Sequence, residues 1–126
     1  TLPSPIEIDD ASRELGIPFS SDYREFLRVF GAAMVGPYPI YGLRPVDVMG
    51  DDEWSVITMT KRSREGKVPG TDIWVVLSSD HAGNPIGMDI TGYVWIHDHD
   101  FGGIAPLAKD FEEYLRSRCL GLGPSP

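Results

Sequence analysis

The densest cluster of chemically capable side chains is His97-Asp98-His99-Asp100. Successive side chains alternate on an extended backbone, so His97 and His99 would share one face, with Asp98 and Asp100 on the other. Two imidazoles at that spacing are the start of a metal site. A closed structural zinc site takes four ligands, however, and a catalytic one takes three plus water. The third histidine, His81, sits in the turn-forming stretch Asp80-His81-Ala82-Gly83-Asn84. With so few ligands, neither a metal nor another cofactor is expected. Two uses are left for the cluster. One is a polar strand end whose aspartates form turns ahead of Gly102-Gly103. The other is a recognition surface of acidic and imidazole side chains.

Other constellations lose their chemistry in context. Ser78, Ser79, Asp80 and His81 hold the residue types of a nucleophile triad. Adjacent residues cannot converge on one line of proton transfer, and no G-x-S-x-G elbow is present. Asp100-Phe101-Gly102 spells a kinase tripeptide without the lysine strand or catalytic loop that give it meaning. His97-Asp98 matches a pair of metal-dependent phosphohydrolases, but there the ligands sit on helices. Gly121-Leu122-Gly123 begins like a dinucleotide fingerprint, yet it follows a helix and precedes none. The lone cysteine, Cys119, allows no intrachain disulfide and has no histidine nearby in sequence to activate it. It reads as a small apolar residue near a helix end. No catalytic residue is expected. Asp51-Asp52-Glu53 is most simply a helix start, and could also add to a negative surface.

The elements that must position these residues begin with a capped helix. Ser4-Pro5-Ile6-Glu7 is a capping box with proline at the first helical position. Ile8, Ala11 and Leu15 then share a face, and Gly16 and Pro18 end the helix. A second helix spans about Ser21 to Phe30, capped by Ser20 or Ser21, with Asp22 in its first turn. Its Tyr23, Phe26, Leu27 and Phe30 form one apolar stripe expected in the core, and Gly31 stops it. Residues 31–50 are rich in glycine and proline and read as a loop with a strand piece around Ile40 to Leu43. A third helix is expected from Asp51 to about Arg64, although Val56-Ile57-Thr58 would also suit a strand. Ile73–Leu77, Pro85–Ile90 and Tyr93–His97 read as a β-meander, with Pro85 at a strand start. The last helix opens at Asp110, with Leu107, Phe111, Tyr114 and Leu115 on its apolar side. The fold class is α+β, with helices packed on a mainly antiparallel sheet.

Composition bounds the function. The 126 residues suit one domain over 1–126, with 120–126 as a flexible tail. A chain of this size can bury roughly 65–70% of its unfolded surface, enough for a core without staples. Nineteen acidic against eleven basic residues give a net charge of −8, which argues against nucleic-acid binding. The same charge suits a basic protein partner, and equally suits plain solubility. No membrane span or signal peptide is visible, and a reducing cytoplasm fits the single cysteine.

Taken in order, the motifs resemble one family. Leu15-Gly16-Ile17, then Asp22-Tyr23-Arg24-Glu25-Phe26-Leu27 and Phe30-Gly31, resemble the opening of the SUKH superfamily. Asp80, Gly83-Asn84-Pro85-Ile86 and Asp89, then Gly92-Tyr93-Val94-Trp95 and His97-Asp98-His99-Asp100, are similar to its second signature. Phe111-Glu112-Glu113-Tyr114-Leu115 resembles its terminal helix. Phe19-Ser20 stands where the family usually has Leu-Pro, and Ser20 can still cap the helix. This is the domain of the yeast Smi/Knr cell-wall regulators and of many bacterial immunity proteins. The resemblance implies an α+β fold, no catalytic residues, and a role in binding and neutralising a specific secreted protein toxin, often a nuclease. A scaffold or regulatory binding module of the Smi/Knr type is the alternative, and a metal enzyme using the His/Asp cluster a third. The partner-binding candidates are Asp80, His97, Asp98, His99 and Asp100, with Asp51, Asp52 and Glu53 behind them.

Overall fold

The computed structural model describes residues 2–44, 54–100 and 102–122. Asp51, Asp52 and Glu53, and residues 123–126 of the expected tail, lie outside them. Helix α1 (Pro5–Leu15) starts as its sequence dictates. Ser4 Oγ accepts the Glu7 N–H at 3.2 Å, and Glu7 Oε1 accepts the Ser4 N–H at 3.1 Å. Gly16 ends it in the left-handed region, where glycine carries no Cβ penalty. Helix α2 (Ser21–Phe30) is capped by Ser20. Ile8, Ala11 and Leu15 of α1 and Tyr23, Phe26 and Leu27 of α2 are buried. Phe30 is not: it is 61% exposed, because the α2 stripe runs past the edge of the core at its last turn.

Among the described residues, six strands follow the order of the chain: β1 (Ala33–Val35), β2 (Tyr38–Ile40), β3 (Val75–Ser79), β4 (Pro85–Met88), β5 (Val94–Asp98) and β6 (Gly103–Ala108). Each pairs antiparallel with the next, giving the sheet order β1-β2-β3-β4-β5-β6. The meander is therefore longer than the three expected strands. β6 carries no strong alternation and contains Pro106, which suits the edge strand it is. Leu107 belongs to β6 and not to the last helix. Ile73 precedes β3 and is 60% exposed, so the buried run starts one residue later, at Trp74.

Helix α3 (Val56–Glu65) sits between β2 and β3 in the chain. It begins at Val56, where Ser55 Oγ accepts the Thr58 N–H at 3.0 Å and so marks the start, and the start expected at Asp51 lies outside the described residues. Its β-branched opening is helical because it packs against β3, where Thr60 Oγ1 accepts the Val76 N–H at 2.8 Å. Arg64 then locks three elements together. Its guanidinium donates to the carbonyls of Thr71, Leu15 and Trp74 at 2.8–3.0 Å. The last helix, α4 (Phe111–Glu113), continues as a π-helical segment (Tyr114–Cys119).

The register sorts the sheet into two faces. Val75, Met88, Val94 and Ala108 lie opposite one another, as do Ile86 and Ile96, and these face the helices. Ser78 sits on the same side, where its hydroxyl meets Tyr114 Oη at 2.8 Å and donates to the Pro39 carbonyl at 2.7 Å. Tyr23 and Phe26 meet Phe111 edge-on at 5.2 and 5.5 Å, closing the core between α2 and α4. On the other face, Trp74 lies flat on Gly87, where a Cβ would come within 2.7 Å of the Trp74 side chain.

Candidate functional site

Antiparallel order places the turns after β1, β3 and β5 at one end of the sheet. Asp80, His99 and Asp100 lie in the second and third of these turns, and His97 and Asp98 end the strand that leads into the third. The β3–β4 turn is built by Asp80. Its Oδ1 accepts the N–H groups of Ala82 and Asn84 at 3.0 and 2.9 Å, and Gly83 takes the left-handed backbone the turn requires. The β5–β6 turn is built by Asp98. Its Oδ1 accepts the Asp100 N–H, and its carbonyl accepts the Gly102 N–H, both at 2.9 Å.

Asn84 joins the two turns. Its Nδ2 donates to Asp80 Oδ2 at 2.9 Å, and its Oδ1 accepts the His99 N–H at 3.0 Å. The carboxylate can only accept and the backbone amide can only donate, so the amide orientation is fixed. Asn84 is 2% exposed, although its residue type favours the surface. The structure thus brings Asp80 into one unit with His97, Asp98, His99 and Asp100.

Within this unit the roles divide. Asp80 and Asp98 are partly buried and hold backbone, while His81, His99 and Asp100 are exposed and point nowhere in the core. His97 and His99 share a face as expected, their rings edge-on at 4.9 Å. His97 pairs across β5–β6 with Ile104, on the side away from the helices, and its Nδ1 is buried without a hydrogen bond among the described residues. His81 stacks on Tyr38 at 5.6 Å, which adds β2 to the unit. Sequence reasoning missed Asn84 and Tyr38 as site residues. The signal for Asn84 was its place at the close of an Asp-initiated turn, a position that rewards a side chain able to donate and accept at once.

Among the described residues, the Ser78, Ser79 and His81 side chains do not form a nucleophile triad. The Ser78 hydroxyl is engaged by Pro39 and Tyr114, and the Ser79 hydroxyl by Tyr41 at 2.9 Å, so neither faces His81. Among the described residues, no group of three or more His, Cys, Asp or Glu is placed to hold a metal ion. Cys119 is buried, and loss of solvation pushes its thiol up to about 11, so the thiolate nucleophile is scarce at neutral pH. No helix among them is long and apolar enough to cross a membrane.

At the opposite end of the sheet, Asp89 builds the β4–β5 turn. It accepts the N–H groups of Thr91 and Tyr93 and the Trp95 indole Nε1–H, the last at 2.9 Å. Partial burial pushes this carboxyl up, but the hydrogen bonds from Thr91, Trp95 and Tyr93 outweigh it and hold the pKa below the ordinary carboxylate value.

Comparison with known families finds one matching family model, described as the SMI1 / KNR4 family (SUKH-1), over residues 2–117. Comparison with curated proteins finds no match.

Proposed function

The chain belongs to the SMI1/KNR4 family (SUKH-1), and from that premise we propose that it is an immunity protein. It binds a cognate secreted bacterial toxin inside the producing cell's cytoplasm and neutralises it by stoichiometric occlusion, without catalysis. A nuclease is the toxin class that best fits an acidic inhibitor, since nucleases carry basic surfaces for phosphate. A net charge of −8 speeds such an encounter mainly through the association rate.

The observation that carries this proposal is the pinned pair of turns. Asn84 holds the Asp80 turn against the His99 turn, so exposed His99, Asp100 and His81 are presented on a rigid frame. A rigid recognition surface loses little entropy on binding, which is what a tight inhibitor requires. Asp80, His97, Asp98, His99 and Asp100 form the proposed contact surface, with Asp51, Asp52 and Glu53 as further candidates.

The test is co-purification with the product of the adjoining gene, followed by titration of that product's activity. One-to-one inhibition supports the proposal. A gene neighbourhood without a toxin, together with no protection on expression, overturns it and favours a scaffold module.

A further inference from the structure

Phe30 is 61% exposed at the end of α2, and the surface around it is a groove of about 240 Å³. Phe26 and Phe30 of α2 form one wall, and Phe111 and Leu115 of the last helix form the other. This is smaller than the roughly 300–1,000 Å³ of small-molecule sites, and matches a single side-chain anchor better than a cofactor. The groove is already built in the free chain. Asp22 Oδ2 accepts the Glu112 N–H at 3.1 Å, and Phe26 meets Phe111 edge-on, so the two helices are held at fixed spacing.

Among the described residues, every charged side chain lining the groove is acidic: Asp22, Glu25 and Glu112. Glu25 is engaged by Arg28 through a pair of hydrogen bonds at 2.6 and 3.0 Å, which offsets its charge. Asp22 accepts the backbone N–H groups of Tyr23 and Glu112 and sits at the start of α2. The Glu112 carboxylate makes no hydrogen bond or ion pair among the described residues. An apolar floor with an anionic rim is complementary to a bulky apolar side chain flanked by lysine or arginine. A second copy of this chain does not meet that description, since it would bring rim carboxylates against one another on two bodies of charge −8.

We infer that the α2–α4 groove is a second docking surface, which takes a basic amphipathic helix of the protein partner, seating one aromatic or leucine side chain beside Phe30. The inference extends the proposed function, adding a contact remote in sequence from the pinned turns. It explains why the α2 stripe continues through Phe30, beyond what the core uses.

The experiment is an NMR titration of the ¹⁵N-labelled chain with an acetylated, amidated 14-residue helical peptide of lysine and leucine. Two control peptides replace every lysine by glutamate or every leucine by serine. Saturable shifts are expected in α2 and in residues 111–115 with the Lys/Leu peptide alone. Phe30→Ser should weaken binding at least tenfold, and Glu112→Lys several-fold at low salt but less at high salt. Both positions are exposed, so melting temperatures should stay close to that of the parent chain. Shifts spread over the acidic surface without saturation, or full affinity in both variants, would overturn the inference. So would concentration-dependent dimerisation through Phe30 in sedimentation. The peptide is read without any toxin, so failure here leaves the immunity proposal standing, and failure of that proposal leaves this titration interpretable.

Discussion

The backbone N–H of His99 donates to the side-chain oxygen of Asn84 at 3.0 Å, across 15 residues of sequence and between two different turns. The Asn84 Nδ2 donates to Asp80 Oδ2, so one buried side chain sets the spacing of the whole recognition end. Asn84→Ala should therefore cost about 2–3 kcal/mol, since it removes two hydrogen bonds and strands their partners. Urea unfolding measures it. Asn84→Asp should behave differently with pH. It keeps the acceptor for His99 but sets a second carboxylate against Asp80. Like charges raise the native pKa of one of them, so the folded state binds more protons than the unfolded state. Stability of that variant should then rise as pH falls from 7 towards about 5, relative to the parent.

Asp89 makes the opposite pH prediction. Its folded pKa is lowered, so its contribution is present above the unfolded value of about 3.9 and is lost as pH falls through the folded value. The stability gap between the parent and Asp89→Asn should be widest near neutrality and close in acid. The Trp95 indole N–H resonance reports the same titration directly, because that group is bonded to Asp89.

Gly36 and Gly16 both have positive φ, at 58° and 78°, yet their surroundings differ. A Cβ on Gly36 would lie 2.1 Å from the Cys119 carbonyl oxygen, whereas one on Gly16 meets nothing within 4 Å. Gly16→Ala should cost about 1–2 kcal/mol, from the backbone alone. Gly36→Ala adds a clash with the last helix, and its total should reach about 2–5 kcal/mol. Equal costs in denaturant melts would contradict this packing.

Cys119 should react slowly with iodoacetamide at pH 7.5 in the native protein and quickly in urea. Its burial and raised pKa both act against the thiolate. Mass spectrometry of timed samples reads the difference.

Much of the fold is legible in local chemistry. The Ser4–Glu7 box, the Ser20 cap and the Asp110 cap each fix a helix start, because a cap is a contact between residues a few positions apart. What escapes is decided at long range. Val56-Ile57-Thr58 is ambiguous alone, and its helix is set by Ser55 together with packing on β3. β6 has little pattern of its own and exists because β5 offers it a ladder. Phe30 looks like core by spacing, but spacing does not say where the core ends.

The candidate site was legible as two clusters, not as one unit. Asp80 and His97-Asp98-His99-Asp100 each suggest a turn, and only the alternation of antiparallel strands brings both turns to one end. Asn84, which ties them, has no sequence signature beyond closing its own turn. The charge of −8 is likewise partly local: Glu7, Asp22 and Asp110 serve helix starts, and Asp80, Asp89 and Asp98 build turns.

Calorimetric titration of the chain into the adjoining gene's product, with parallel titration of the double variant His99→Ala/Asp100→Lys, tests the central claim most directly. Both residues are exposed and should leave the melting temperature nearly unchanged. The expected result is one-to-one binding by the parent chain, weakened at least tenfold in the variant, with loss of toxin inhibition in step. Undiminished binding by a folded variant would contradict the assignment of the pinned turns as the recognition surface, and absence of binding by the parent would contradict the immunity function itself.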